Sequence, residues 1–132
     1  SHPGADLVKL SDGMDSDRAV FSEYHGMGSK SAAYMIRKGH HKLVFYTDYP
    51  PQLFDLKADP QELVNIADQP SSKDVMRDLM NELTRICDPA KTDDEAKATQ
   101  RKLLEGVGGK QRVIARGDLG FSMPPGVRPS FD

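Results

Sequence analysis

Hydrophobic and polar residues alternate along the first half of the chain in short runs separated by turn-forming residues. Between residues 18 and 25, successive side chains fall on two different faces, which is typical of a strand. Two further runs, 32–38 and 42–46, flank a Gly39-His40-His41 segment that suits the turn of a β-hairpin. A fourth short run covers residues 53–56. Four strands joined by short connections predict an antiparallel sheet.

The spacing of the apolar positions changes to that of a helix after residue 70. Over Ser72–Cys87, apolar residues recur every three or four positions and form one broad stripe along an amphipathic helix. The stripe consists of Val75, Leu79, Leu83 and Ile86. Ser71 or Ser72 is predicted to cap this helix, and Asp88-Pro89 to end it. Since the stripe should pack on one face of the four-stranded antiparallel sheet, the pattern predicts an α+β fold.

A second helix with few apolar positions is predicted after the first. It starts at Thr92, with Glu95 completing a capping box, and ends at Gly108-Gly109. Residues 110–116 add a short helical turn. The predicted organisation is a leading loop or linker over 1–17, an α+β subdomain over 18–90, a helical extension over 91–116 and an extended tail over 117–132.

The segment Pro51–Asn65 contains the fourth strand and leads out of the predicted sheet. Asp59, Pro60 and Glu62 have the spacing of a helix start, with an acceptor at the cap, proline at the first helical position and an acid where a capping box needs one. The segment therefore predicts a strand, a turn and a capped helical turn. We interpret it as a scaffold corner that takes no part in chemistry.

Composition and charge exclude several classes of function. The chain has 132 residues, of which 37% are hydrophobic and 29% charged, so it has the size and balance of one modest globular domain. Its 18 basic and 20 acidic residues give a formal charge of −2, which argues against a nucleic-acid or anionic-membrane surface. No apolar run approaches the length of a membrane span. The one cysteine, Cys87, excludes an internal disulfide framework.

Three blocks of the sequence resemble, in order and spacing, the C-terminal subdomain of bacterial sulfatases in the alkaline-phosphatase-like superfamily. Residues 51–65 are similar to the family's QLFDLxxDPxExxN segment, residues 31–46 to its MxRxGxxKxxxY hairpin, and residues 18–25 to the strand before that hairpin. The resemblance covers roughly residues 18–70, and residues 92–131 also look like the tail of bacterial members.

The resemblance implies a subdomain that docks on a larger N-terminal α/β catalytic domain of the same polypeptide. Sulfatases hydrolyse sulfate esters with a formylglycine, made in a Cys/Ser-x-Pro-x-Arg motif, and with a divalent metal, usually calcium. Both groups are expected in the catalytic domain, so we expect no catalytic residue, metal ligand or cofactor in this chain and no activity from it alone. Its expected role is structural and cleft-forming, with a possible homo-oligomer through the tail.

Two other functions remain open from the sequence. One is a free-standing interaction or oligomerisation module that uses the second helix and the tail. The other is a small metal-dependent hydrolase that uses Cys87 or the histidines. Cys87-Asp88-Pro89-Ala90-Lys91 departs from the sulfatase modification motif by having lysine at its last position. Because Cys87 also ends the apolar stripe of a helix, we interpret it as a packing residue.

His25 is the one candidate for substrate contact, because the resemblance places the end of its strand toward the active-site side of the catalytic domain. The alternative is a strand-end histidine whose ring bonds the neighbouring loop backbone. Glu23 is predicted to pair with Arg37 across two strands. His40 and His41 are expected to point apart, as neighbours in a strand do, and so to make a poor metal pair.

Overall fold

The fold is a four-stranded antiparallel sheet followed by three helices. A computed structural model of the chain describes Val8, residues 18–26, Ser29 and residues 31–117. The predicted leading loop, apart from Val8, and the predicted tail beyond Gly117 lie outside these residues. The strands lie in the order β1-β2-β3-β4, each antiparallel to the next, which confirms the predicted sheet. Their bounds are Val20–Tyr24 (β1), Ala33–Lys38 (β2), His41–Tyr46 (β3) and Gln52–Asp55 (β4).

A two-residue turn joins β2 to β3. Lys38 pairs with His41, so Gly39 and His40 are the two central residues of the turn. Gly39 has a φ of +59°, while His40 is not among the residues with positive φ. This is the pattern of a type II′ turn, whose first central position favours glycine. The glycine therefore sets the hairpin and places His40 outside the regular strand.

The three helices are α1 (Lys73–Ile86), α2 (Pro89–Gly106) and α3 (Gly109–Arg116). Helix α1 begins where predicted, after a short 3-10 turn over Pro70–Ser72, but the Ser72 side chain makes no capping hydrogen bond. The prediction that α2 starts at Thr92 is wrong. Asp88 caps it instead, accepting a hydrogen bond from the backbone N–H of Lys91 at 3.2 Å, with Pro89 at the first helical position.

One helix face and one sheet face form the hydrophobic core. Leu79 and Leu83 of α1 are buried against the sheet. The sheet contributes side chains that alternate with outward-facing residues along each strand, namely Tyr34 and Ile36 from β2, Leu43 from β3 and Leu53 from β4. This is the packing predicted from the apolar stripe. No helix in the described part of the chain is both long and apolar enough to cross a membrane.

The predicted helix start at Asp59 is also wrong. The chain turns after β4 and forms no helix before Pro70. Asp59 accepts a hydrogen bond at 2.8 Å from the backbone N–H of Val64, five residues later, whereas an N-cap bonds the residue two or three positions later. Glu62 also has a φ of +58°, which a right-handed helix does not allow. The segment instead lies along the outer edge of β4. There, the Leu53 N–H donates to Asn65 Oδ1 at 2.9 Å, and the Leu53 carbonyl accepts from Ile66 N–H at 2.9 Å.

Candidate functional site

His25 follows β1 and lies beneath the start of α2. Its ring meets the buried ring of Tyr34 edge-on, with centroids 5.4 Å apart. Nε2 lies 3.7 Å from a Glu23 carboxylate oxygen, and Nδ1 lies 4.0 Å from an Asp93 carboxylate oxygen. Both nitrogens are buried and make no hydrogen bond to the residues that the structure describes. The imidazole is therefore placed between two carboxylates, at ion-pair rather than hydrogen-bond distance.

The backbone of His25 is held more firmly than its ring. Gln100 of α2 donates a hydrogen bond from Nε2 to the His25 carbonyl oxygen at 2.8 Å. This contact joins the end of β1 to a helix 75 residues later in the sequence. Since Gln100 is itself exposed, the contact closes one side of a surface depression next to His25. The bond from the ring to the loop backbone, which is the alternative role for His25, is not found within the described ranges.

Asp93 is a buried carboxylate at the centre of a polar cluster that joins α2 to the sheet. It accepts from Lys97 Nζ at 2.8 Å and from Thr47 Oγ1 at 3.2 Å. The Thr47 hydroxyl also lies 3.1 Å from the hydroxyl of buried Ser31. The hydrogen bond to Asp93 is the main cause that raises the pKa of Lys97 above its usual range. Asp93, Lys97, Thr47 and Ser31 thus form one continuous network from the sheet to α2.

Two depressions flank this network. One, of about 400 Å³, is lined by Glu23 and His25 on one side and by α2 residues that include Glu95 and Gln100 on the other. The second, of about 460 Å³, carries Asp48, Asp88, Asp94 and Lys97 among its lining residues. Carboxylates outnumber cations in both. Such walls accept hydrogen bonds from hydroxyl and ammonium groups, and they oppose a sulfate or phosphate anion.

Tyr34 supports this end of the sheet from inside the core. Its hydroxyl donates a hydrogen bond to the Pro89 carbonyl oxygen at 2.8 Å, at the first residue of α2. Burial raises the pKa of Tyr34 to about 12, and the negative charges of Asp93, Glu23 and Asp88 and the Cys87 thiol add to that effect. The phenol therefore stays neutral over the physiological range and acts as a structural donor.

The predicted Glu23–Arg37 pair is wrong. Glu23 lies opposite Tyr34 in the sheet register, and Arg37 lies opposite Val20. Glu23 therefore points to the same face of the sheet as Tyr34. Arg37 is three positions from Tyr34 along β2, so its side chain points to the opposite face. Arg37 instead donates from Nε to the Gly39 carbonyl oxygen at 3.3 Å. Glu23 is thus left to face His25.

Cys87 is placed as a packing residue at the end of α1. Its backbone N–H closes the helix on the Leu83 carbonyl oxygen at 3.0 Å, and its side chain packs against the core cluster. Burial raises the pKa of its thiol, and the charges of Glu23 and Asp88 raise it further. A reactive thiolate needs the opposite shift. The stretch Cys87–Lys91 is thus the junction of two helices.

His40 and His41 come together, so the prediction that they point apart is wrong. Their ring centroids lie 4.1 Å apart, because His40 occupies the turn and does not follow the alternation of a strand. A carboxylate oxygen of Asp55 joins them, and ligand atoms of the three residues lie within 4.8 Å of one another. Burial and then the neighbouring His40 lower the pKa of His41. Although burial raises the pKa of Asp55, hydrogen bonds from the Lys57 and Ala58 N–H groups and the two histidines lower it overall.

The cofactors implied by the resemblance do not fit these residues. Calcium takes six to eight oxygen ligands. Within residues 18–26, 29 and 31–117, one group of at least three His, Cys, Asp or Glu side chains is close enough to share a metal. It consists of His40, His41 and Asp55, so two of its three ligand atoms are nitrogens. A formylglycine made from cysteine would have to come from Cys87. That residue is half-buried and lies at the end of α1.

Among known protein families, the chain matches, over residues 4–88, the family described as N-sulphoglucosamine sulphohydrolase, C-terminal. The match covers more than half of the chain and includes the sheet and helix α1. It ends at Asp88, the residue that caps α2. The matched region therefore contains all three sequence blocks, over residues 18–70, and continues beyond them through α1.

Curated relatives and a solved structure extend this similarity. The chain is 39% identical to arylsulfatase K of Danio rerio over 90 residues, which are 65% of this chain and 17% of that protein. It is 40% identical to choline-sulfatase of Rhizobium meliloti (strain 1021) over 67 residues, which are 51% of this chain and 13% of that protein. The structure of BT4656 in complex with its substrate D-glucosamine-2-N,6-O-disulfate is similar over 72% of this chain and 20% of that one, with 26% identity and a TM-score of 0.51.

Proposed function

Because this chain belongs to the N-sulphoglucosamine sulphohydrolase C-terminal family and is a sulfatase C-terminal subdomain, we propose that it completes a sulfatase catalytic domain carried by the same polypeptide. The activity of the whole polypeptide would be the hydrolysis of sulfate esters. The chain spans only 17% and 13% of the lengths of the two curated relatives. The nucleophile and the calcium ligands would lie in the remainder, so this chain alone would be inactive.

The observation that carries the proposal is an exposed apolar surface on the sheet. On the face turned away from α1, Val20 is 46% exposed and Tyr24 is 60% exposed. Half-buried Met35 and Val44, which are cross-strand partners, continue this surface toward β3. We call the surface formed by Val20, Tyr24, Met35 and Val44 the outer face. Apolar side chains grouped in this way are typical of a surface that another domain covers.

His25 would stand at the border of the substrate cleft. It follows the strand that carries Val20 and Tyr24, and it lines the depression of about 400 Å³. Because Glu23 now shields Nε2, a substrate oxygen would reach the ring only after the half-exposed Glu23 side chain turns away. The neighbouring carboxylates favour a hydroxyl or ammonium group. We therefore infer that this wall faces the alcohol part of a sulfate ester and not its sulfate group.

Turnover of an aryl sulfate in the presence of calcium tests the proposal. We expect no turnover from this chain and measurable turnover from the full-length polypeptide. In the full-length enzyme, His25→Gln should lower kcat/KM by roughly tenfold, the value of one lost hydrogen bond to substrate. The matched control is His40→Gln at the opposite end of the sheet, which should leave kcat/KM unchanged. Turnover by this chain alone that is lost on Cys87→Ala would overturn the proposal in favour of a small hydrolase.

A second candidate function, an interaction module, is favoured by the apolar residues of the helical extension. Leu103 is 66% exposed, and Val107 and Ile114 are also exposed. Association of two copies through these residues would give a dimer that light scattering detects. The dimer should be lost on Leu103→Glu and kept on Val20→Glu. A monomer over the whole accessible concentration range would contradict this function.

A further inference from the structure

We propose that the tip of the β2–β3 hairpin binds one divalent transition-metal ion, zinc foremost, through His40, His41 and Asp55. Two imidazoles and a carboxylate are donors that suit zinc, copper and nickel better than calcium or magnesium. The proposed site does not depend on the proposed function, because it rests on the described residues alone.

The spacing of the ligand atoms suits a metal after small movements. One nitrogen of each ring and one Asp55 oxygen all lie within 4.8 Å of one another. Zinc bonds of about 2.0–2.1 Å in a tetrahedral site place ligand atoms about 3.4 Å apart. His40, with a side chain that is 51% exposed, has the freedom to close this gap by rotation. Three protein ligands would leave the fourth position to water.

The backbone already fixes the three ligands near one another. His41 and Asp55 are direct cross-strand partners, so their side chains leave the sheet on the same side. The Leu56 N–H donates to the His40 carbonyl oxygen at 2.7 Å, which ties the turn to the end of β4. Asp55 Oδ1 accepts from the backbone N–H groups of Lys57 at 2.9 Å and Ala58 at 3.3 Å. These bonds hold the carboxylate in place, with Oδ1 4.0 Å from His40 Nε2.

One lysine of the hairpin, Lys38, does not oppose the ion strongly. Lys38 pairs with His41 in the hairpin register, but its ammonium group bonds Glu82 of α1 at 3.2 Å. Its charge is therefore partly offset by that carboxylate. An ion at the tip would join the turn to the last strand at the end of the sheet opposite His25. Because the unfolded chain does not hold the three ligands together, binding should stabilise the fold.

Metal titration of the chelator-treated chain tests the proposal. Cobalt(II) is the direct probe, because its visible absorption changes when nitrogen and oxygen ligands bind it. The affinity for zinc is then measured from the loss of this absorption as zinc displaces cobalt. We expect one equivalent of metal per chain and a rise of Tm with zinc. His40→Gln and Asp55→Asn should each weaken binding by more than about tenfold, since loss of even an outer contact to a ligand costs that much.

Two control variants make the outcome decisive. His25→Gln removes the histidine that lies between Glu23 and Asp93, and Cys87→Ser removes the one thiol; neither should change the affinity. Circular dichroism of His40→Gln and Asp55→Asn establishes that each variant is folded, which is expected because His40 is a half-exposed turn residue. Absence of cobalt binding by the unaltered chain would overturn the proposal. So would loss of binding on His25→Gln or Cys87→Ser with the hairpin variants unaffected.

Discussion

Asn65 is the residue that gives the Pro51–Asn65 segment its structural meaning. Its Oδ1 accepts from the backbone N–H groups of Leu53 at 2.9 Å and Ala67 at 3.0 Å, and its Nδ2 donates to the Pro51 carbonyl oxygen at 3.4 Å. One side chain thus satisfies the outer edge of β4 and fixes the loop after it. These contacts supply the physical reason for interpreting the segment as a scaffold corner.

Replacing Asn65 by alanine should destabilise the fold. We expect Asn65→Ala to lower the free energy of unfolding by about 1–3 kcal/mol, because the N–H of fully buried Leu53 loses its acceptor. Asn65→Asp keeps an acceptor oxygen in place and should cost less. Urea unfolding followed by circular dichroism measures both. Equal losses for the two variants would show that the acceptor oxygen is not what matters.

Tyr34 makes the stability of the fold sensitive to alkaline pH. The pKa of its phenol is raised from 10.0 to about 12 in the folded chain, so the unfolded chain loses this proton first as pH rises. The contribution is fully present below pH 10 and should be lost between pH 10 and pH 12, by roughly 2–3 kcal/mol. Unfolding free energies at several pH values measure this fall. Tyr34→Phe should abolish it, whereas Tyr24→Phe, at an exposed site, should not.

The candidate site is only partly predictable at the level of single residues. His25 stands out in the sequence because the family resemblance places the end of its strand near a substrate. Asp93 gives no comparable signal, since it is one of several acids on a polar helix next to Asp94 and burial cannot be deduced from such a run. The proximity of His40 and His41 is hidden because strand alternation does not extend to a residue inside the turn.

At the scale of elements, α1 packs on the sheet mainly through two buried leucines, with Val75 partly buried beside them, while the last residue of its stripe is exposed. Leu83 is fully buried, whereas Ile86, on the same predicted stripe, is 41% exposed. Leu83→Ala should therefore lower the free energy of unfolding by about 2–5 kcal/mol. Ile86→Ala is the matched control on the same helix and should cost well under half as much. Denaturant unfolding compares them, and similar losses would mean that α1 packs differently.

The hairpin turn depends on Gly39. Its φ of +59° lies in the left-handed region, where a side chain costs about 1–2 kcal/mol. Gly39→Ala should reduce stability by that amount, and Gly39→Asn by less, since asparagine tolerates this region. Thermal unfolding measures both. If the proposed metal site is present, Gly39→Ala should also weaken zinc binding, because the same turn positions His40.

The strands and α1 are predictable from the sequence because both carry strong periodic patterns of apolar residues, whereas the helix starts are not. Asp59-Pro60 and Asp88-Pro89 carry the same local signal, yet only the second begins a helix. The difference lies in tertiary contacts. Glu62 has a positive φ and forms an ion pair with Lys42 of β3, whereas the Pro89 carbonyl oxygen accepts a hydrogen bond from the Tyr34 hydroxyl. Such long-range contacts are absent from a local motif.

At the scale of the whole molecule, the outer face gives the proposed docking its test. The catalytic domain, expressed separately from the full-length gene, should bind this chain in trans. Val20→Asp should weaken that association by at least about tenfold, because it places a charge in a buried apolar contact. Calorimetry measures the affinity. Leu103→Asp, on the exposed side of α2, is the control, and loss of affinity on Leu103→Asp alone would move the docking surface to the helices.

The family is the most predictable property of the molecule, because three blocks in a fixed order are specific even where each block is short. The boundaries of the predicted units remain predictions, although the family match ends at Asp88, close to the predicted end of the α+β subdomain at residue 90. The substrate is not predictable, since the charged and hydroxyl groups that line the two depressions, mostly carboxylates and threonines, could meet many alcohols.

The contacts of Leu53 make the two edges of the sheet unequal. On β4, both outward backbone groups of Leu53 are already bonded, to Asn65 and Ile66. On β1, no described segment bonds the outward backbone groups of Val20–Tyr24. A foreign strand could therefore pair with β4 at Leu53 only by displacing Asn65 and Ile66. Strand-by-strand aggregation through β4 would therefore first have to break the contacts that the following loop makes with Leu53.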